Sequence, residues 1–317
     1  MAEELHFEFG NGTDTGCVRK QNEDAFMLFI ASDRKQRIQK GHLALICDGM
    51  GGARGGQTAS SMAVEEIARI YYGSNANDVR TAITQAIKSA NTKIYHRSIS
   101  EPALKGMGTT VVAAMILEDS AYIAHVGDSR CYLIRNKEIS QITEDHTIVQ
   151  KMVRQGLIDD EEARNHPEGH VLSRSVGVGA DVEIDLTMEP IELETGDTLL
   201  ICSDGLSGQV NEDELMQIAS SGTAQHAVER LIALAKERGG PDNITAQIVR
   251  VNSHEREDSV ETSTIRTAPL SRSLAKPITL TALGLVAIAV ILGALWYFNI
   301  FDFSTIPGFD WLPDPPQ

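Results

Sequence analysis

The sequence predicts an α+β domain of antiparallel sheets with helices packed outside them. Three observations carry that prediction. Short apolar runs rich in Val, Ile and Thr recur through the first three quarters, separated by Gly, Asp and Asn. Helical periodicity is confined to three stretches, two of them consecutive between strand-like runs. The last strand-like runs follow one another across short connections, which a strictly alternating, doubly wound sheet would not produce.

In chain order the expected strands are DAFMLFI (24–30), HLALICD (42–48), TTVVAAMIL (109–117), SAYIAHVG (120–127), RCYLIRN (130–136), DVEIDLTM (181–188), DTLLICSD (197–204) and NITAQIVR (243–250). The first helical pattern is Met62, Ala63, Ile67, Ile70 and Tyr71. The second is Val79, Ile83, Ala86, Ile87, Ala90 and Ile94, and the third Ala227, Val228, Leu231, Ile232 and Ala235. Each recurs at three and four and offers one apolar face. No internal repeat is visible.

With 317 residues, 42% of them hydrophobic, the chain can bury a substantial core. Cys17, Cys47, Cys131 and Cys202 are scattered, with no CxxC pair or Cys/His cluster, so neither a zinc site nor a disulfide framework is expected. A formal charge of −16 repels nucleic acid and leaves carboxylates in surplus for hard cations. The start, MAEELHFEFG, lacks the features of a signal peptide.

Residues 278–301, ITLTALGLVAIAVILGALWYFNIF, carry no charge, and about 20 apolar residues cross a bilayer core. A single transmembrane helix is therefore expected, the alternative being a buried core helix. Arg266, Arg272 and Lys276 precede it and Asp302, Asp310 and Asp314 follow, which places the large N-terminal part in the cytoplasm at the cell inner membrane. The stretch 252–277, rich in Ser, Thr and charge, reads as a flexible linker. The expected organisation is a catalytic domain over 1–251, the linker over 252–277, the membrane helix over 278–301 and a short extracytoplasmic tail over 302–317.

Acids collect where strand-like runs begin or end. Asp48-Gly49, Gly127-Asp128 and Ser203-Asp204-Gly205 close runs, while Glu23-Asp24 and Asp242-Asn243 precede them. Any one Asp-Gly is ordinary turn chemistry. As a set on one rim they would repel one another and raise their own pKa values unless cations sat among them. All-oxygen ligands favour Mg²⁺ or Mn²⁺ over zinc.

The order of these strings, TDTGCVRKQNED (13–24), DGMGG (48–52), GMGTT (106–110), VGDSR (126–130), SDG (203–205) and DNIT (242–245), resembles the metal-dependent PPM, or phosphatase 2C type, serine/threonine protein phosphatases of bacteria across roughly residues 6–251. The resemblance implies a four-layer α/β/β/α sandwich and hydrolysis of phosphoserine and phosphothreonine by a hydroxide bridging two Mn²⁺ or Mg²⁺ ions. It also implies partners among phosphorylated proteins, namely serine/threonine kinases and their substrates near the membrane. Carried over by position, Asp48 bridges the two metals with the Gly49 carbonyl on one of them, and Asp204 and Asp242 ligate the other. Glu23 and Asp24 act mainly through water, Asp128 with Asp204 forms a third-ion site, and Arg19 grips the phosphate. Met50 stands where many eukaryotic relatives carry the proposed acid, His, and cannot donate a proton. That role passes to a metal-bound water, a substrate-side group, or one of His146, His166 and His170, with 147–170 matching the family's mobile flap. The different-class alternative is a catalytically silent, metal-binding membrane scaffold.

Overall fold

The computed structural model describes residues 5–51, 55–76, 78–164, 166–252 and 265–267. The first half of the chain forms β1 (His6–Asp14), β2 (Ala25–Phe29), α1 (Arg34–Gln39), β3 (His42–Cys47), β4 (Gly49–Met50), α2 (Gly55–Gly73), α3 (Val79–Ser100), β5 (Gly108–Thr109), β6 (Val111–Leu117), β7 (Ser120–Val126), β8 (Arg130–Arg135) and β9 (Glu138–Gln141). The second half forms α4 (Ile148–Arg154), α5 (Asp160–Arg164), β10 (Asp185–Leu186), β11 (Ile191–Glu192), β12 (Thr198–Cys202), α6 (Asp204–Ser207), α7 (Glu212–Ala219), α8 (Ala224–Glu237), β13 (Ile244–Asn252) and β14 (Ile265–Thr267).

Two large antiparallel sheets and a two-stranded pair, β4 with β5, result. One runs β1-β13-β12-β8-β9, and the other β10-β7-β6-β3-β2-β14 with β11 also on β7. The strands read as continuous apolar runs because both faces of each sheet are buried. Along β3, Ala44 and Ile46 join Leu28, Val112, Ile123, Leu199, Ile201 and Val249 between the sheets. The alternate residues Leu43, Leu45 and Cys47 turn outward onto Ile67, Ile83 and Ile87 of α2 and α3. On the other side, Leu200 and Ile248 pack with Leu215 and Leu231 of α7 and α8. Burial of each large aliphatic side chain contributes about 1.5–3 kcal/mol. The expected helix–sheet–sheet–helix layering is thus present.

Several expectations are corrected in detail. Of 181–188 only Asp185–Leu186 pairs as a strand. The next pair is incomplete: Thr187 N–H still donates to the Ile123 carbonyl at 3.0 Å, but Ile123 N–H donates to the Thr187 hydroxyl, 3.1 Å away, in place of a backbone carbonyl. The run 197–204 leaves the sheet after Cys202, and Asp204 opens α6. The edge strand β1, the short β9 and the capped helix α7 were not among the expected elements.

Within the stretch read as linker, Ile265–Thr267 lie antiparallel to β2, covering what would otherwise be an open sheet edge. The expected membrane helix 278–301 and tail 302–317 lie outside the described residues. Among the described residues no helix is long and apolar enough to cross a membrane.

Candidate active site

Strand register gathers the acids on one rim. In the seven-stranded sheet Ala25 at the start of β2 faces Cys47 at the end of β3, and Val111 at the start of β6 faces Val126 at the end of β7. In the five-stranded sheet Cys202 ends β12 opposite Ala246 and Arg130, near the starts of β13 and β8, while Asp14 ends β1 opposite Ile244. Glu23, Asp24, Asp48, Asp128, Asp204 and Asp242 therefore emerge at the same end of both sheets.

Asp48, Asp24 and the loop that carries Arg19 are held in place by neighbouring backbone, hydroxyl and amide groups. The Asp48 backbone is clamped on both sides: its N–H donates to Thr110 Oγ1 at 2.9 Å, and its carbonyl accepts from Thr110 N and Thr109 Oγ1, both at 2.8 Å. Ser129, next to Asp128, completes the chain at 2.7 Å from Thr110 Oγ1. Asp24 accepts at one oxygen from Ser203 Oγ (2.9 Å) and Thr245 Oγ1 (2.6 Å), joining the two sheets. Asn243 donates to the carbonyls of Thr15 and Gln21 and accepts from Glu23 N–H at 2.8 Å, so it ties down the loop that carries Arg19. Gly49 admits no side chain, since a Cβ there would lie 2.2 Å from the Gly56 carbonyl and 2.6 Å from that of Glu23.

The electrostatics are those of a crowd of like charges. Burial, opposed by the two hydroxyl bonds and reinforced by Asp204 and Asp242, pushes Asp24 up to about 7. Burial and then Asp204 push Asp128 up to about 8. Asp48 is raised well above the carboxylate range by loss of hydration and by Asp24, Asp204, Asp128 and Asp242. Asp204 is raised by burial and Asp242, and Glu23 by burial with Arg19 opposing.

Among the described residues, two buried oxygens, Asp24 Oδ1 and Asp204 Oδ1, have no hydrogen-bond partner. A protein does not ordinarily bury a carboxylate oxygen without one, and a cation or its water shell would satisfy both. Among the described residues no three rim acids bring oxygens all within 4.8 Å of one another. The donor set is all oxygen, and it fits Mn²⁺ or Mg²⁺.

The structure places the remaining expected residues as follows. Arg19 stands on the rim, half exposed, with Nη2 donating to Asp242 at 2.6 Å. His170, at the end of the flap, brings Nδ1 to 4.0 Å from Asp204 Oδ2. His166 caps a turn within the flap at Glu168 N–H, and His146 is buried with its ring on Gly127 N–H, one residue before Asp128. The supporting residues Thr109, Thr110, Ser129, Ser203, Asn243 and Thr245 were not assigned roles from sequence, although all of them sit in the quoted strings.

Comparison with known proteins decides the family. The protein phosphatase 2C family model matches residues 18–247. The chain belongs to the protein phosphatase 2C family. It is 39% identical over 250 residues to the serine/threonine phosphatase stp of Listeria monocytogenes, covering 77% of this chain and 95% of the relative. The crystal structure of the Mycobacterium tuberculosis phosphatase PstP superposes with a TM-score of 0.69 at 34% identity, covering 78% of this chain and all of that one. A PstP catalytic domain in complex with two manganese ions gives 0.67 at 34% identity, over 78% of this chain and all of that one. As a phosphatase 2C protein the chain is a metal-dependent protein serine/threonine phosphatase, and the silent-scaffold alternative is set aside.

Proposed function

We propose that the rim is a divalent-cation centre acting on phosphoserine and phosphothreonine in proteins, with the chemistry divided among named residues. The partnerless oxygens of Asp24 and Asp204 within a cluster of raised carboxylates are the observation that carries this reading. Asp48, the Gly49 carbonyl, Asp204 and Asp242 would hold two ions, with Glu23 and Asp24 steadying their water, and Asp128 with Asp204 would hold a third. When bound, such ions supply the Lewis acidity that makes water nucleophilic near neutral pH. The chain's own contribution is positional. Arg19 engages Asp242 through one arm of its planar fork and is 51% exposed, so the rest of the fork can take two phosphate oxygens together. Thr109 and Thr110 fix the backbone of Asp48, and Asn243 fixes the Arg19 loop, so neither needs to rearrange as charge develops on the phosphoryl group.

The test is turnover of a phosphothreonine peptide by the full-length protein with Mn²⁺. Arg19→Ala removes charged hydrogen bonds of about 1.5–3 kcal/mol and should lower kcat/KM about 10- to 100-fold. A loss smaller than twofold would mean that the Asp242 salt bridge is all that Arg19 does.

We further propose that 278–301 is a single transmembrane helix, with the phosphatase domain cytoplasmic and 252–277 linking the two. Support comes from the uncharged run and the flanking charges. Substrates would then be phosphoproteins at the inner membrane face, serine/threonine kinases among them. Deleting 278–317 should move the protein from membranes to the soluble fraction with peptide turnover retained, and persistent membrane association would overturn the single anchor.

A further inference from the structure

His146 is a buried side chain, 7% exposed, outside the acidic rim. It lies between the flap and the turn that carries Asp128. Gly127 N–H donates to His146 Nδ1 at 3.1 Å, and His146 N–H returns a bond to the Gly127 carbonyl at 2.9 Å. The His146 carbonyl accepts from Ser173 N–H at 2.7 Å, and Ile148 N–H donates to Val171 O at 2.9 Å. The two ends of the flap segment are thereby stitched together beside Gly127.

The tautomer follows from the first bond. Because Nδ1 accepts, the ring proton sits on Nε2, which faces Asp185 Oδ2 at 3.2 Å. Asp185 is held in turn by Arg174 Nη1 at 2.7 Å, and His125 stacks on the ring at a centroid distance of 4.6 Å. His125, His146 and Asp185 bring possible ligand atoms within 4.8 Å of one another, which raises the question of a second metal site. The answer is no: Nδ1 is occupied by Gly127, and the Arg174 guanidinium, 3.2 Å from Nε2, holds the side a cation would need.

We propose that His146 is a positioning residue that locks the Gly127–Asp128 turn to the root of the flap, so that the Asp128 metal position and the flap cannot move independently. The consequence for the rim reaches two residues. Asp128 follows Gly127 directly, and His170, 4.0 Å from Asp204, lies just before the stitched segment 171–173. The inference rests on Asp128 as a metal ligand, and its test separates the two claims.

Full-length protein carrying His146→Gln, His146→Asn, Asp185→Ala or Asp128→Asn is titrated with Mn²⁺ by calorimetry, and amide exchange is followed over 126–130 and 171–174. Asparagine can place an oxygen near the Nδ1 position, whereas glutamine reaches the Nε2 position and leaves Gly127 N–H without its acceptor. His146→Gln should weaken the Mn²⁺ step lost in Asp128→Asn about tenfold, the usual effect of removing a group that orients a ligand, and should speed exchange in both segments together. His146→Asn should restore both readouts. Asp185→Ala, a change at a half-exposed site, should give the same pattern at reduced amplitude and guards against misfolding of the histidine variants. Equal defects in His146→Gln and His146→Asn, or faster exchange in only one segment, would overturn the coupling. If Asp128→Asn leaves Mn²⁺ binding unchanged, the metal assignment of Asp128 fails while joint exchange still supports the lock.

Discussion

Two buried carboxylates, Glu66 and Asp24, show how one side-chain type serves opposite ends. Glu66, on α2, has a side chain only 5% exposed and accepts from Arg69 Nη2 (2.6 Å), Ser89 Oγ (2.7 Å) and Lys93 Nζ (3.0 Å), which clamps α2 to α3. Those bonds, led by Arg69, hold it down to about 2. Asp24 is as deeply buried, but two neutral hydroxyls and a ring of other acids leave it raised to about 7 with one oxygen unmatched. The first arrangement is complete as it stands. The second is complete only with something positive added, and that incompleteness marks the functional site.

The comparison breaks most visibly at the acid whose partnerless oxygen lies on the rim. Asp204→Asn should cut Mn²⁺-dependent peptide hydrolysis about a hundredfold or more while leaving the melting temperature of the metal-free protein the same or higher, because it removes a repelling charge. Chelation of the wild-type protein should mimic the loss of activity, and both are read by phosphate release.

The rim should also invert the usual dependence of stability on pH. Asp24 and Asp128 are raised in the folded chain to about 7 and about 8, so the folded state binds more protons than the unfolded one from the ordinary carboxylate range up to those values. Stability of the metal-free protein then falls as pH rises through that window. His42, pulled down by burial to about 4, opposes this trend only below the ordinary histidine range, about 6.5. Thermal unfolding in chelator should therefore give a lower Tm at about pH 8.5 than at about pH 6.5, and Mn²⁺ should remove or reverse the difference.

Glu66→Gln should have the smallest effect. Its cations are mostly exposed and solvent-screened, so a loss of about 1–2 kcal/mol in denaturant stability is expected, with turnover unchanged. Because its pKa is depressed, the stabilisation from its charge is present above the ordinary carboxylate range and disappears as pH falls toward 2. The gap between variant and wild type should narrow over the same range.

The acids of the rim were legible in sequence because each ends or begins a strand whose apolar run is unmistakable, and their order carried the family. The strands themselves were legible for the same reason, both faces of each sheet being buried. β1 was not, because Gly10, Asn11 and Gly12 interrupt its pattern. The fold requires that interruption, since a Cβ at Gly10 would lie 2.4 Å from the Ala224 carbonyl of α8. α7 was missed because eight residues give little periodicity, although its capping box, Asn211 with Glu214, is readable in retrospect. Arg19 and Asp242 were both found, but their pairing was not, since 223 residues separate them. His146 was read only as one of three candidate proton donors, because the bond that gives it meaning comes from a backbone N–H, which carries no letter in the sequence.

Asn243 has a further consequence for how this enzyme can be lost. Its amide nitrogen faces two carbonyl oxygens, those of Thr15 and Gln21, at 2.9 and 3.0 Å. Exchanging that nitrogen for oxygen, as a one-letter change to Asp or a slow chemical ageing of the amide would do, sets three acceptors against one another. The loop holding Arg19 would then come adrift while every acid of the rim remained intact. A chain that preserves the whole set of carboxylates can thus still be inactive, through one atom that binds neither metal nor phosphate.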